Sequence, residues 1–355
     1  MILKGKKILV TGGLGYIGSH TVVKLIENGY TPFIIDNLSN SDIKVLNDIK
    51  KITGKEVYFL HGDLCNLSPG KSNLRYLFKN FEFDAVIHFA AYKSVSESVR
   101  EPLKYYENNI GGTINLLKIM KRYKVNKLIF SSSCVVYGQP DKYPVTEETP
   151  LKPAESPYGE TKRICEQIIE NSCSYEGINA ISLRYFNPIG AHESGIIYER
   201  PKGTPENLMP YITGVIKGEY PFLKVFGNDY NTPDGTAVRD YIDVNDLAEA
   251  HVKALDYVGK NSYDVINIGS GSGYSVMEIL NAFERNGKKV KYEIHPRREG
   301  DIESIYADTT KAKNTLGWVP NRSLDDSIRS LIYKNSNIHL NRKKNKFDEY
   351  FKNNE

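Results

Sequence analysis

Tyr158 and Lys162 stand four residues apart in the run Ser156-Pro157-Tyr158-Gly159-Glu160-Thr161-Lys162. Ser156 can cap a helix and Pro157 suits its first position, so the two side chains share one face near a helix N-terminus. An ammonium beside a phenol favours the phenolate, and the positive end of the helix dipole pushes the same way. The expectation is a tyrosine held below its ordinary pKa of about 10 and competent as a general base. Alone, the pair would read as a packed tyrosine and a surface lysine. Ser133 changes the weighing. It lies 25 residues before Tyr158, at the end of an apolar strand and in the run Ser131-Ser132-Ser133. There its hydroxyl could hold a substrate oxygen against Tyr158; alone, the serine run would read as a turn.

Such residues must be carried to one place, and the N-terminal stretch shows how. Residues 8–10 form an apolar run of the kind found in buried parallel strands. Gly12, Gly15 and Gly18 follow, and residues 16–26 have helical apolar spacing that ends near Asn28-Gly29. Strand, glycine turn and helix make a dinucleotide-binding unit, in which the backbone approaches a pyrophosphate and a helix N-terminus meets its charge. The spacing is GxxGxxG, not GxGxxG, and by itself it could mark only a tight turn. A second strand, residues 31–36, ends in Asp36, 18 residues after Gly18. A carboxylate there binds both ribose hydroxyls and repels a 2′-phosphate, which predicts NAD over NADP. The alternative role for Asp36 is a turn cap.

Further strands are expected at 57–60, 84–91, 127–130 and 179–185, and long helices at 102–123 and 157–175. This alternation predicts an α/β fold with a doubly wound, parallel, Rossmann-like sheet and right-handed crossovers. The chemistry-bearing residues then fall beyond the carboxyl ends of the strands and share one cleft. From Pro188 the loops lengthen and carry Pro and Gly. The expected division is a dinucleotide-binding domain over 1–187, a smaller irregular substrate domain over 188–335, and a polar tail over 336–355. The strand near 264–268 is expected to rejoin the main sheet. The Asn- and Lys-rich tail reads as a solvated terminus.

The chain has 355 residues, 40% hydrophobic and 25% charged, with a formal net charge of +4. These are ordinary globular values and allow a large core. No basic stripe interleaved with aromatics points to nucleic acid. Cys65, Cys134, Cys165 and Cys173 lack CxxC spacing, so neither a metal site nor a disulfide frame is expected. No leader pattern and no membrane-length apolar run is present, which leads to the expectation of a soluble, cytoplasmic protein.

The chain resembles the extended short-chain dehydrogenase/reductase family, most closely its UDP-hexose 4-epimerase branch, over residues 6–330. The resemblance is carried by Thr11-Gly12-Gly13-Leu14-Gly15-Tyr16-Ile17-Gly18-Ser19-His20, Asp36-Asn37, Gly62-Asp63, Phe89-Ala90-Ala91-Tyr92-Lys93, Phe130 to Ser133 and Ser156 to Lys162. Downstream it continues through Leu183-Arg184-Tyr185-Phe186-Asn187-Pro188, Asn207-Leu208-Met209-Pro210-Tyr211, Phe226-Gly227, Val238-Arg239-Asp240-Tyr241 and Arg297-Arg298-Glu299-Gly300-Asp301.

The resemblance implies reversible 4-epimerisation of UDP-glucose and UDP-galactose through a 4-keto sugar, with NAD held tightly and taking the hydride transiently. Tyr158 would take the proton of the 4-hydroxyl, Ser133 would bond that oxygen, and Lys162 would tune the tyrosine and bind the nicotinamide ribose. NAD would meet Gly12, Gly15, Tyr16, Ile17 and Gly18 at its phosphates, and Asp36, Asn37, Asn40 and Ser41 at the adenosine ribose. Asp63 and Leu64 would hold adenine. Phe89, Ala90, Ala91, Lys93, Asn108, Ser131, Tyr185 and Pro188 would complete the cofactor site. The UDP-sugar would meet Lys93, Phe186, Asn187, Asn207, Leu208, Lys224, Phe226, Arg239, Tyr241, Arg298 and Asp301. Ile305 would face the hexose; its intermediate bulk favours glucose and galactose over N-acetylhexosamines.

The family also implies a homodimer built on helices 102–123 and 157–175, and no metal. A nucleotide-sugar 4,6-dehydratase would need an acid just after the catalytic hydroxyl, where this chain has Cys134 and Val135. Two alternatives within the fold are a UDP-glucuronate-type and a UDP-N-acetylglucosamine 4-epimerase. From another class, the alternative is a non-catalytic NAD-binding regulatory module.

Overall fold

The computed structural model describes residues 5–66, 68, 73–298 and 300–333. The polar tail and Glu299 lie outside the described residues. In chain order the strands are β1 (Lys7–Thr11), β2 (Thr31–Asp36), β3 (Tyr58–His61), β4 (Ala85–His88), β5 (Lys127–Ser133), β6 (Asn179–Tyr185), β7 (Asn187–Ile189), β8 (Leu223–Phe226), β9 (Val238–Asp243), β10 (Tyr263–Ile268), β11 (Gly273–Ser275), β12 (Tyr292–His295) and β13 (Ser304–Ile305). Seven of them form one sheet in the order β10-β6-β5-β4-β1-β2-β3. Every pairing in it is parallel. The order reverses between β1 and β4, and the crevice beyond their carboxyl ends is where such sheets bind ligands.

Both faces of the sheet are covered, which is why its strands are apolar throughout. On one face the helices Tyr16–Glu27 and Val244–Tyr257 bury Val22, Leu25, Leu247 and Leu255 against Ile129 and Ile266. On the other, Leu74–Asn80, Gly112–Arg122 and Pro157–Glu176 bury Leu77, Leu116 and Ile169 against Leu128 and Phe130. A third core, around Met209, Ile212, Tyr241 and Phe283, belongs to the irregular part. There β7, β11 and β13 pair with β9, and β8 pairs with β12. β10 returns to the large sheet beside β6, with Ile268 opposite Tyr185.

Two expected elements differ. The strand read over 84–91 stops at His88, and the backbone turns away over Phe89–Ala91. Gly12 explains the exit: a Cβ on it would lie 2.8 Å from the Ala90 nitrogen, so the two turns are packed against one another. The single helix read over 102–123 is interrupted. Pro102–Tyr105 and Gly112–Arg122 are joined by a π-helical turn, Tyr106–Gly111. Asn109 in that turn donates to the Tyr92 carbonyl at 3.1 Å and to Thr161 Oγ1 at 3.0 Å, and accepts from the Tyr92 amide at 2.9 Å. The wider turn aims this amide into the helix carrying Tyr158, a use to which π-bulges are often put.

Candidate active site

The glycine turn fits a dinucleotide pyrophosphate. Gly12 has φ of +67°, and a Cβ on Gly18 would come within 2.4 Å of the Gly12 carbonyl oxygen. The helix Tyr16–Glu27 starts from Gly15 with no side-chain cap, so its first N–H groups point into the cleft without a protein partner from the cap. Asp36 takes the turn-capping role read from the sequence and also faces the cleft. Its carboxylate accepts from the amides of Leu14 at 3.1 Å and Leu38 at 2.9 Å and from Ser41 Oγ at 2.8 Å, and it lines the cleft. Asn37 donates to Asp63 Oδ2 at 2.9 Å, which ties the ends of β2 and β3 together.

β5 runs on through the three serines, and its alternation sorts them. Ser132 lies opposite Arg184 of β6, and both bond Glu166, four residues after Lys162. Ser132 Oγ donates to Glu166 Oε1 at 2.5 Å, while Arg184 grips the carboxylate with Nε at 3.0 Å and Nη2 at 2.7 Å. This buried ion pair braces the strand end from below. On the other side Tyr185 bonds the buried His251, whose Nδ1 lies 2.8 Å from the Leu247 carbonyl. Burial holds His251 down to about 4, so the ring is neutral.

Ser156 caps the helix Pro157–Glu176 by accepting from the Gly159 amide at 3.2 Å, as its sequence predicts. The Tyr158 pKa does not follow the expectation. Burial pushes the phenol up to about 12, and only the hydrogen bond with Ser133 pulls it down. Lys162 does not pair with the hydroxyl: its Nζ donates to the Ser131 carbonyl at 2.6 Å and lies 6.0 Å from the Tyr158 ring centre. Burial also lowers Lys162 to about 8, against the charges of Cys165 and Glu166. The ammonium–phenol pair expected from the sequence is therefore replaced by a lysine–carbonyl hydrogen bond. Ser133, Tyr158 and Lys162 nevertheless line the same cleft.

All of the residues read as cofactor or substrate contacts line one cleft of about 880 Å³. Gly12, Leu14 to Gly18, Asp36, Asn37, Asn40, Ser41, Asp63 and Leu64 form one end. Phe89 to Ala91, Lys93, Asn108, Ser131, Ser133, Tyr158, Lys162 and Tyr185 form the middle. Phe186 to Pro188, Asn207, Leu208, Lys224, Phe226, Arg239, Tyr241, Arg298, Asp301 and Ile305 close the other end. Arg298 lies over the Phe226 ring, 4.2 Å from its centre, making a flat sandwich wall suited to a base. Arg239 stands 3.7 Å from Asp301 and donates to the Ile302 carbonyl at 2.7 Å. Tyr16 donates to the Gly190 carbonyl at 2.7 Å, joining the glycine turn to the irregular part.

The sequence reading missed Glu166, Arg184, Asn109, His251 and Glu199. Glu199 accepts from Lys93 at 2.8 Å and from Asn207 at 2.9 Å across the cleft. Arg184 carried a signal: a charged residue inside an apolar, doubly covered strand requires a buried partner.

Comparison with known proteins agrees with this geometry. The profile of the family described as GDP-mannose 4,6 dehydratase matches residues 9–331. The UDP-glucose 4-epimerase of Bacillus subtilis is 50% identical over 335 residues, covering 93% of this chain and 97% of that protein. That of Dictyostelium discoideum is 49% identical over 327 residues, with 91% and 94% covered. The chain belongs to the UDP-glucose 4-epimerase family. The solved structure of the Bifidobacterium longum UDP-glucose 4-epimerase, in complex with NAD+ and UDP, superposes with a TM-score of 0.89 at 44% identity, covering 94% of this chain and 99% of that one. The epimerase assignment is also chemically consistent at Ser133, since Cys134 and Val135 supply no acid for dehydration.

Proposed function

We propose that this chain interconverts UDP-glucose and UDP-galactose by oxidation and re-reduction of the sugar at carbon 4. The observation that carries the reading is the meeting, in one cleft, of a dinucleotide-binding turn, the Ser133–Tyr158–Lys162 group and the Phe226–Arg298 wall. When bound, NAD supplies a hydride acceptor that returns the hydride in the same turnover, and a positive ring that favours the Tyr158 phenolate. Gly12 to Gly18 hold its pyrophosphate, Asp36 its adenosine ribose, and Lys162 its other ribose.

The chain's own residues do the proton chemistry. Tyr158 takes the proton of the 4-hydroxyl and gives it back to the opposite face's oxygen. Ser133 keeps that oxygen within reach of the phenol. Arg239 and Arg298 hold the diphosphate, and Phe226 the uracil, while the keto sugar turns over in the wider middle of the cleft. Anchoring the nucleotide and leaving the hexose mobile is what lets one base serve both epimers. A cytoplasmic location and a homodimer complete the reading. The four cysteines are free, Leu103 projects an exposed apolar side chain from the segment expected at the dimer face, and Val99 projects another from the turn of helix before it.

Purified protein with UDP-galactose and no added NAD tests it. UDP-glucose, quantified by a coupling dehydrogenase, is the expected product. Tyr158→Phe should abolish the turnover and leave the bound dinucleotide in place. Absence of product with NAD added as well would move the reading to another nucleotide sugar or to the regulatory module.

A further inference from the structure

Residues 196–207 leave the small part of the molecule and cross the cleft, and their charged side chains reach separate segments of the dinucleotide-binding part. Glu199 takes Lys93. Glu206 accepts from Ser94 and Ser96. Arg200 reaches Asp48 on the helix Lys44–Thr53 at 3.1 Å, braced by the Ile196 carbonyl at 2.7 Å. Lys202 donates to the carbonyls of both Leu38 and Ser39, at 2.6 and 3.2 Å.

The last contact falls on the loop that shapes the adenosine end. Leu38 sits at φ of +59°, a region that side chains other than glycine seldom adopt. Its amide bonds the Asp36 carboxylate, and Ser41, three residues later, bonds the same oxygen. The aim of Asp36 therefore depends on a loop held in an unfavourable backbone conformation. A charged donor shared between carbonyls 38 and 39 is what stabilises that conformation from outside.

We propose that Lys202, with Arg200 as its anchor, is a positioning residue for the dinucleotide: it holds the 37–41 loop so that Asp36 meets the ribose diol, and it closes the strap behind the bound nucleotide. The inference deepens the epimerase reading and rests on it for the identity of the cofactor. A dinucleotide leaving the cleft must first detach this strap from the loop and from Asp48. Pro201, Gly203, Thr204 and Pro205 carry no charge with which to do this work, and the strap's hold on the ribose loop runs through Lys202.

Lys202→Met, Arg200→Met and the double variant test it. The protein is purified with its NAD, passed through gel filtration, and assayed for retained dinucleotide and for its dissociation rate under excess competing nucleotide. Each single variant should release NAD about tenfold faster, the double variant faster still, and Lys202→Arg should restore retention. Added NAD should return turnover of UDP-galactose, with the KM for the sugar nucleotide unmoved. Parental release rates in both single variants would overturn the proposal, as would a rise in sugar-nucleotide KM without loss of retention. Should the parent fail to turn over UDP-galactose, the epimerase reading falls, while the retention assay still decides the role of Lys202.

Discussion

Lys162 donates to the carbonyl oxygen of Ser131, at 2.6 Å, instead of to the phenol four residues before it. The ammonium thus ties the helix to the strand that carries Ser133 and lies 6.0 Å from the Tyr158 ring centre. Burial lowers it to about 8, so its charge is present below that pH and lost as pH rises through it. Initial rates with UDP-galactose should therefore decline above about pH 8. A rate still climbing at pH 10 would remove the Lys162 charge from the mechanism. Lys162→Met should lower kcat by roughly 10²–10⁴-fold, the usual scale of a lost proton-transfer contribution.

The Glu166–Arg184 pair predicts a stability signature. Both side chains are buried, so Arg184→Met leaves an unpaired carboxylate and should cost about 3–5 kcal/mol. Glu166→Gln combined with Arg184→Met removes both charges and should recover most of that loss. Urea unfolding with NAD at fixed concentration measures it; a single variant as stable as the parent would show that the pair adds nothing to the fold.

Three buried histidines set an acid limit. Burial holds His20 and His88 down to about 3 and His251 to about 4, against an ordinary 6.5. Each binds its proton more readily in the unfolded chain. Stability is therefore full above pH 6.5 and falls as the pH drops toward those values. Between pH 6.5 and 5 the loss is up to about 2 kcal/mol per histidine. The thermal midpoint should drop steeply over that interval, and His88→Asn should flatten the drop by about a third. An unchanged midpoint from pH 7 to pH 5 contradicts the burial of these rings.

Ile305 is expected to set the width at the hexose. It is buried against Cys134, Phe186 and Ala307 while still lining the cleft. UDP-N-acetylglucosamine should turn over at less than about a tenth of the rate of UDP-glucose. Ile305→Ala should narrow that gap and cost about 2–4 kcal/mol in stability, the range for an emptied apolar site. Equal rates in the parent would show that another residue limits the pocket.

The parallel sheet was legible because a doubly covered strand must be apolar, and Gly12, Gly18, Asp36 and Tyr158 were legible because their chemistry needs a fixed spacing. What was not legible is what depends on distant pairing. The Tyr158 pKa turned on burial, and the Lys162 ammonium found its acceptor on β5, which lies beneath the helix. Arg200 and Asp48 meet across 152 positions, and no local spacing announces it. The π turn at Tyr106–Gly111 kept the apolar rhythm of a plain helix, so only the backbone showed the break.

The path of the chain through the large sheet has one more consequence. It leaves at Tyr185 and comes back at Tyr263, as the adjacent strand. The intervening stretch is thus a loop clamped at both feet, not a lobe on a single tether. A protease cut within it would release no fragment, since each stump stays locked in neighbouring strands. Arg298, Asp301 and Ile305 follow the second foot, Ile268, so both portions of the wall facing the dinucleotide turn are rooted in adjacent strands of one sheet.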